Sequence, residues 1–418
     1  MTPNTPTDSV DITSHDTYVR GVPHRAFAQL RHDSPISWTP ESDGGRGFWS
    51  LTKYDDVLFA SRHTEIFSSA QGIRLEDMTS EEADARRTLM EMDPPEHTQL
   101  RRLVSRPFSP RSVNEYEADI REIAQNLLTG VRNHDEFDFV QAIARDLPLR
   151  MLGRLLGLPN ADLDWLVQRG DALIGNTDPE FTEFVVDQTD TSQYRLLPFR
   201  SPVALELFEY AANAMKERRE CPTDDLLSSL LAATPDGEQL DDLALKNFFT
   251  LMVAAGNDTT RYTLAAGVQQ FIESPELFEQ FASRDLAGRK SFIEEVLRCA
   301  STTMHFRRTL TRDTELKGQT MRAGDKVVLW YVSANYDEEH FVSPNEFDPD
   351  RTPNDHVAFG LHSPHLCLGA HLARLELRVM FEEMASAWKS VEANGPVERF
   401  RSNFISGVKR LPIRVQWR

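Results

Sequence analysis

Cysteine is scarce in this chain, with three residues in 418, at Cys221, Cys299 and Cys367. So few, and so scattered, cannot form a disulfide framework, which agrees with a reducing compartment. Long apolar runs are missing too. No stretch of about eighteen consecutive apolar residues marks a membrane span. The opening MTPNTPTDSVDITSHDTYVR has neither the basic start nor the apolar core of a signal peptide, so the expectation is a cytoplasmic protein with no membrane span. Positive charge is in deficit: 46 Lys and Arg against 65 Asp and Glu give a net charge of -19, the wrong sign for a nucleic-acid binder. Internal repeats, low-complexity tracts and flexible linkers are also lacking. No G-x-G-x-x-G fingerprint follows a strand and no cysteine set suits an iron–sulfur cluster, so any redox chemistry draws electrons from a separate protein.

What is present reads as one mostly helical body. Hydrophobic content of 40% and charged content of 27% fit a globular chain. ISWTP, GFWSLT, TELKG, KVVLWYVSA and LPIRVQW have the short alternating or apolar character of strands. VNEYEADIREIAQNLLTGVRN, SPVALELFEYAANAMKERR, DDLLSSLLAA and LCLGAHLARLELRVMFEEMASAWKS place apolar residues three or four apart over several turns, as helices do. The fold class expected is mainly α with small β-sheets, a single domain over 1–418 with residues 1–20 as a loose tail.

The longest helical candidate runs from Asp241 to Glu273 and as one helix would span roughly 50 Å at about 1.5 Å per residue. In its middle, AAGNDTT (254–260) sets a glycine, an amide, a carboxylate and two hydroxyls into an apolar run. Such residues prefer caps and turns. Either a loop divides two helices there, with Asp258 or Thr259 as the second N-cap, or one helix is loosened where something binds against its backbone, a carbonyl being freed to hold water.

AFGLHSPHLCLGAHLAR (358–374) poses a second question, the purpose of Cys367. A lone free cysteine is usually a small buried hydrophobe. His362, His365, Cys367 and His371 also have residue types that suit zinc, in a zinc-binding or heme-sensing protein without catalysis. A third reading is a thiolate bound axially to heme iron, with glycines allowing close backbone approach. The helix starting near Gly369 would aim amides and its positive dipole end at the sulfur.

FGLHSPHLCLGAHLAR resembles the heme-binding loop of the cytochrome P-450 superfamily. EVLR, Glu295 to Arg298, is similar to that family's Glu-x-x-Arg motif, and AAGNDTT to its oxygen-activating groove, in the family's order along the chain. The resemblance extends over nearly the whole chain. It implies a P-450 fold holding heme b between the long central helix and the cysteine-loop helix, with Cys367 as axial iron ligand beside Phe359 and Gly369. His97 and Arg101, Arg308 and His365 would hold the propionates. Arg351, in FDPDR, would join Glu295 and Arg298 in a buried structural trio. Thr259 would pass protons towards dioxygen, Asp258 would relay them from solvent, and Gly256 would leave room for dioxygen. The loop departs from the family pattern: Phe359 stands eight residues before the cysteine, and Ser363 and Pro364 occupy the place of a glycine turn, as a one-residue insertion would produce.

By the same resemblance the chain is a monooxygenase fed by a small ferredoxin and an NAD(P)H-dependent reductase. Arg102, Arg106 and Arg111 would form the local basic docking face. A peroxide-driven relative is the nearest rival. SSAQGIRLEDMTSEEADARRTLMEM and GNTDPEFTEFVVDQTDTSQYRLLPF fall where distal lid loops belong. Val253, Ala254, Thr303, Met304, His305, Phe404 and Ile405 are the expected pocket lining, and apolar walls imply a small, mostly apolar substrate. Terpenoids look favoured, with steroid, fatty-acid, alkane or aromatic substrates as alternatives.

Overall fold

The computed structural model describes residues 10–41, 44–232 and 240–418. Asp241 begins the central helix, Asp242–Glu273, its side chain accepting the Ala244 N–H at 2.7 Å. The helix runs without a break through AAGNDTT. Its hydroxyls fold back onto the preceding turn, Thr259 Oγ1 donating to the Ala255 carbonyl (3.1 Å) and Thr263 Oγ1 to the Thr259 carbonyl (2.7 Å). The expected freed carbonyl is therefore not found: hydroxyls within the helix satisfy these oxygens, as Ser and Thr inside helices commonly do.

Around this axis pack the helices Asp146–Leu156, Leu163–Ile174, Val203–Glu220, Leu286–Ala300 and Ala370–Ala387. Each turns an apolar stripe inward. Phe271, Phe281, Phe292 and Phe381 form one aromatic knot, with ring centroids 5.2–6.2 Å apart, the spacing favoured by edge-to-face and offset pairs. Gly267 sits where a Cβ would come within 2.4 Å of the Phe381 ring, so only glycine lets these helices approach so closely.

Beside the helices lies a five-stranded sheet in the order Ile36–Thr39, Phe48–Leu51, Lys326–Trp330, His305–Leu310, Phe67–Ser68. Its one parallel pair joins Phe48–Leu51 to Lys326–Trp330. A smaller sheet pairs Pro412–Trp417 with Glu136–Asp138 and Trp388–Ala393. The tail expected over residues 1–20 is in fact tied down from Asp11 onwards. Ile12 and Tyr18 are buried, the Tyr18 hydroxyl donates to the Ile12 carbonyl (2.9 Å), and His15–Arg20 forms a 3-10 helix; residues 1–9 lie outside the described residues.

The cysteine loop is held from behind by buried charge. Arg298 donates from Nε and Nη2 to both Glu295 carboxylate oxygens (2.8 and 2.7 Å), Arg351 Nε reaches the same carboxylate (3.1 Å), and the Asp348 amide adds a fourth donor (2.9 Å). Arg298 Nη1 also donates to the Asn335 carbonyl (2.8 Å), and the Asn335 side-chain oxygen accepts the Val357 amide (2.7 Å) at the start of the loop. Glu295 and Arg298 are wholly buried. Removing one partner strands the other charge, so Arg298→Met is expected to cost about 3 to 5 kcal/mol in urea unfolding. A loss below about 1 kcal/mol would show that Arg351 and the amides alone suffice.

Candidate active site

One large cavity lies between the central helix, the helix Ala370–Ala387 and the sheet, lined by Cys367, Thr259, Asp258, Ala254, Thr303, Phe404 and Ile405 among others. The Cys367 loop closes through the Cys367 amide, which donates to the Phe359 carbonyl (2.9 Å). The longer loop is absorbed by two left-handed residues, Gly360 (φ 74°) and His362 (φ 54°), so Phe359 still borders the cavity with Cys367. Arg374 lies over the Phe359 ring, 4.7 Å from its centroid. The helix begins at Ala370 with Gly369 as N-cap. Burial raises the Cys367 thiol pKa, while the Gly369 amide, Arg101 and Arg374 pull it back towards the thiolate.

Four polar side chains, His97, Arg101, Arg308 and His365, line the same cavity, and among the described residues two of them have atoms without a partner. Both ring nitrogens of buried His97 lack partners, as does Nε of buried Arg308. His97 and His365 sit 4.4 Å apart, and Arg101 Nη2 donates to the Leu366 carbonyl (2.6 Å). Burial, then Arg308, His97 and Arg101, push the His365 imidazole down, to about 2. Donors this crowded and desolvated suit a pair of carboxylates, because charge-assisted bonds relieve both the burial cost and the mutual repulsion. With a soft sulfur bounding the same space, this set fits a heme and its propionates. The zinc reading does not survive: among the described residues no three His, Cys, Asp or Glu side chains are placed to hold a metal ion.

Asp258 is buried in a chain of charges. Its Oδ1 accepts from Arg261 Nη2 (2.6 Å) and Asn257 (3.2 Å), and Arg261 Nη1 donates to Asp171 (2.6 Å) on the helix Leu163–Ile174. Oδ2 has no partner. Burial pushes this carboxyl up, to about 7, against the pull of Arg261. Gly256 borders the cavity, but a Cβ there would meet Leu152 at 3.2 Å. Its missing side chain thus also lets Leu152, on the helix Asp146–Leu156, pack close.

Three expected lining residues face elsewhere. Helical periodicity turns Val253 away, against Gly170, where an added Cβ would meet it at 3.4 Å, and puts Met252 and Ala255 on the cavity instead. On the strand side, Phe306 and Arg308 face the cavity, so alternation sends His305 to the other face, stacked on Trp330 at 4.9 Å. Met304 is fully buried in the apolar cluster with Phe27 and Trp330.

Two functional side chains escaped sequence reasoning. Glu294, next to Glu295, ties the helix Leu286–Ala300 to Arg374 (2.7 and 2.8 Å) and His356 (3.1 Å), and so braces the thiolate helix directly. Glu376 borders the cavity on the buried face of the helix Ala370–Ala387 with no hydrogen-bond partner among the described residues, and burial alone raises its carboxyl, to about 8. The signal was a single Glu on the face shared with Leu372 and Leu375.

The profile of the family described as Cytochrome P450 matches residues 289–413. The methyl-branched lipid omega-hydroxylase of Mycobacterium tuberculosis is 39% identical over 413 residues, covering 97% of this chain and 93% of that protein. The steroid C26-monooxygenase of Rhodococcus jostii is 34% identical over 421 residues, covering 98% of this chain and 85% of that protein. A Mycobacterium marinum cytochrome P450 solved in complex with pseudoionone superposes with a TM-score of 0.88 at 34% identity, covering 99% of this chain and 100% of that one.

Because the folded chain keeps the Glu376 proton up to about pH 8 whereas the unfolded chain releases it near 4.5, stability carried by the neutral form is lost as pH rises between those values. Glu376→Gln is therefore expected to match the parent at pH 4.5 and to exceed it by several kcal/mol near pH 8, read from thermal melts across that window. A constant difference at every pH would mean that Glu376 does not titrate there.

Proposed function

The chain belongs to the cytochrome P450 family of monooxygenases, and on that footing we propose that it hydroxylates an unactivated C–H bond near the end of an aliphatic chain, in a lipid or a steroid side chain, using a ferredoxin and its reductase. The observation that carries this reading is the meeting of Cys367, the proton-bearing pair Asp258–Thr259 and an apolar wall in one cavity. Heme b, which members of the family carry, supplies dioxygen activation when bound.

Around that group each side chain has a separate task. Cys367 would bind the heme iron through its sulfur, and the Gly369 amide at that sulfur favours the thiolate. His97, Arg101, Arg308 and His365 would hold its propionates. The Glu295–Arg298–Arg351 trio and Glu294 keep the loop and its helix in register. Thr259 Oγ1, now donating to the Ala255 carbonyl, rotates to donate into the cavity, and Asp258, poised near neutrality, replaces the proton through its free Oδ2. This pair favours dioxygen over a peroxide-driven reaction. Phe306, Phe404 and Ile405 exclude water and orient the aliphatic chain.

Arg102, Arg106 and Arg111 are exposed and make no ion pair among the described residues, on elements adjoining the Cys367 loop, so they remain available to an acidic ferredoxin. No helix among the described residues is long and apolar enough to cross a membrane. The relatives' names favour a lipid or steroid substrate over the terpenoid reading, although pseudoionone in the Mycobacterium marinum structure keeps terpenoid ketones on the panel.

The reduced carbon monoxide complex of the heme-loaded protein should show the strongly red-shifted Soret band of thiolate ligation, lost in Cys367→Ser; an unshifted parent band would end this reading. Thr259→Ala should cut product per NADH by about tenfold or more, with peroxide or water formed instead. Unchanged coupling would place proton delivery elsewhere. Spin-shift titrations with a methyl-branched fatty acid, cholestenone and pseudoionone rank the substrate classes.

A further inference from the structure

Asp258 borders the cavity, and behind it a row of charges of alternating sign leads out of the protein. Arg261, one turn along the central helix, donates from Nη2 to Asp258 Oδ1 (2.6 Å) and from Nη1 to Asp171 Oδ1 (2.6 Å) on the helix Leu163–Ile174. Arg145, just before the helix Asp146–Leu156, closes on the other oxygen of Asp171 from Nε (3.0 Å) and Nη2 (2.8 Å). Three elements of the fold thus meet in one line. Side-chain exposures of 2, 3, 9 and 24% for Asp258, Arg261, Asp171 and Arg145 show that the row runs from the cavity towards solvent.

The row cannot conduct protons, because a guanidinium keeps its charge at any pH the protein meets. Its geometry does something else. An arginine fork facing a single carboxylate ordinarily closes on both oxygens. Arg261 instead divides its two terminal nitrogens between two carboxylates, with Nη2 also meeting the Tyr262 hydroxyl (2.9 Å), and so holds Asp258 by one oxygen only. Oδ2 keeps no partner among the described residues. The groups that face Asp258 are Arg261 and Tyr262 on its own helix, Asp171 from the neighbouring helix and Arg145 behind it, and burial holds the Tyr262 phenol well above its ordinary range. Burial and Asp171 raise the Asp258 carboxyl, whereas Arg261 and Arg145 lower it.

We propose that Asp171 and Arg145 are positioning residues for proton delivery: they hold one arm of Arg261 away from Asp258, so that one carboxyl oxygen is tethered while the other loads a proton from water and releases it towards Thr259. The proposal rests on the monooxygenase reading above and gives a part in it to two side chains that do not border the cavity. Neither touches the reacting atoms. Removing the anion of Asp171 frees Arg261 to close on both oxygens of Asp258, which favours the carboxylate and stalls its reloading. Removing the cation of Arg145 acts in the opposite sense, because Asp171 then draws Arg261 outward and the acid loses positive charge nearby. An anion and a cation remote from the cavity thus act as opposed controls on one acid.

The test follows the infrared C=O stretch of the protonated Asp258 carboxyl against pH in heme-loaded protein, the band being assigned by its loss in Asp258→Asn. Asp171→Asn should move its midpoint down by about one pH unit or more and Arg145→Gln should move it up, while Asp171→Glu, which keeps the charge, should stay near the parent. Product per NADH, measured with whichever of the methyl-branched fatty acid, cholestenone and pseudoionone gives the largest spin shift, should fall off at lower pH in Asp171→Asn than in the parent, in step with the band. Midpoints that move in one direction in both variants, or not at all, overturn the proposal, since damage to packing does not distinguish a removed anion from a removed cation. A moved band with the parent's pH dependence of product per NADH overturns it as well. Arg145 is partly exposed, so Arg145→Gln carries the test should Asp171→Asn fail to fold. The carbon monoxide band on the same samples separates the two readings: a red-shifted band with unmoved midpoints sinks the Asp171–Arg145 control alone, and an unshifted band sinks the monooxygenase reading itself.

Discussion

Glu295 and Arg298 are removed from water entirely, and two bonds of 2.7 and 2.8 Å between them, reinforced by Arg351, compensate that removal. What the pair fixes lies beyond itself. Through Arg298 it holds Asn335, and through Asn335 the backbone at Val357, from which the chain turns directly into the Cys367 loop. Glu294 repeats the device one residue earlier, gripping Arg374 on the thiolate helix. Neighbouring carboxylates on one helix thus govern both ends of the segment that carries the sulfur, and a loop one residue longer than usual is accommodated because its ends cannot drift.

Charge is treated differently inside the cavity. At the supporting network every buried ion finds an opposite charge and several hydrogen bonds, whereas around the cavity His97 and Arg308 keep atoms unpartnered among the described residues, and Glu376 and Asp258 hold carboxyls raised towards neutrality. Unsatisfied groups are costly in an interior, so those that line the cavity mark where outside chemistry completes the protein. The Asp258–Arg261–Asp171 chain belongs to both kinds, since it compensates charge and leaves one carboxylate oxygen free.

The sequence carried the long helices, because apolar spacing over many turns is hard to mistake, and it carried the strands at Ile36–Thr39, Phe48–Leu51 and Pro412–Trp417 through alternation. It also carried the supporting trio, and it named Cys367 and the proposed propionate donors, because these lie in short local motifs. The strand His305–Leu310 was not recognisable, since two arginines and a histidine on a buried strand look like a polar loop until the cavity they border is known. KVVLWYVSA was read as strand throughout, but pairing ends at Trp330 and a short helix, Tyr331–Ala334, follows. The helix expected to run to Ser390 stops at Ala387, where Trp388 begins a strand. Val253, Met304 and His305 failed as lining residues for one reason: adjacency in sequence does not fix the face, and one step along a strand or helix turns a side chain away.

The strand His305–Leu310 divides its labour by parity. Phe306 and Arg308 look into the cavity, while His305 is stacked into the core and Arg307 is bonded to the backbone of Glu76. Evolution can therefore revise the even-numbered positions to suit a new diet while the odd-numbered ones go on holding the architecture, and a lineage carrying this strand can change what it consumes without having to relearn how to fold.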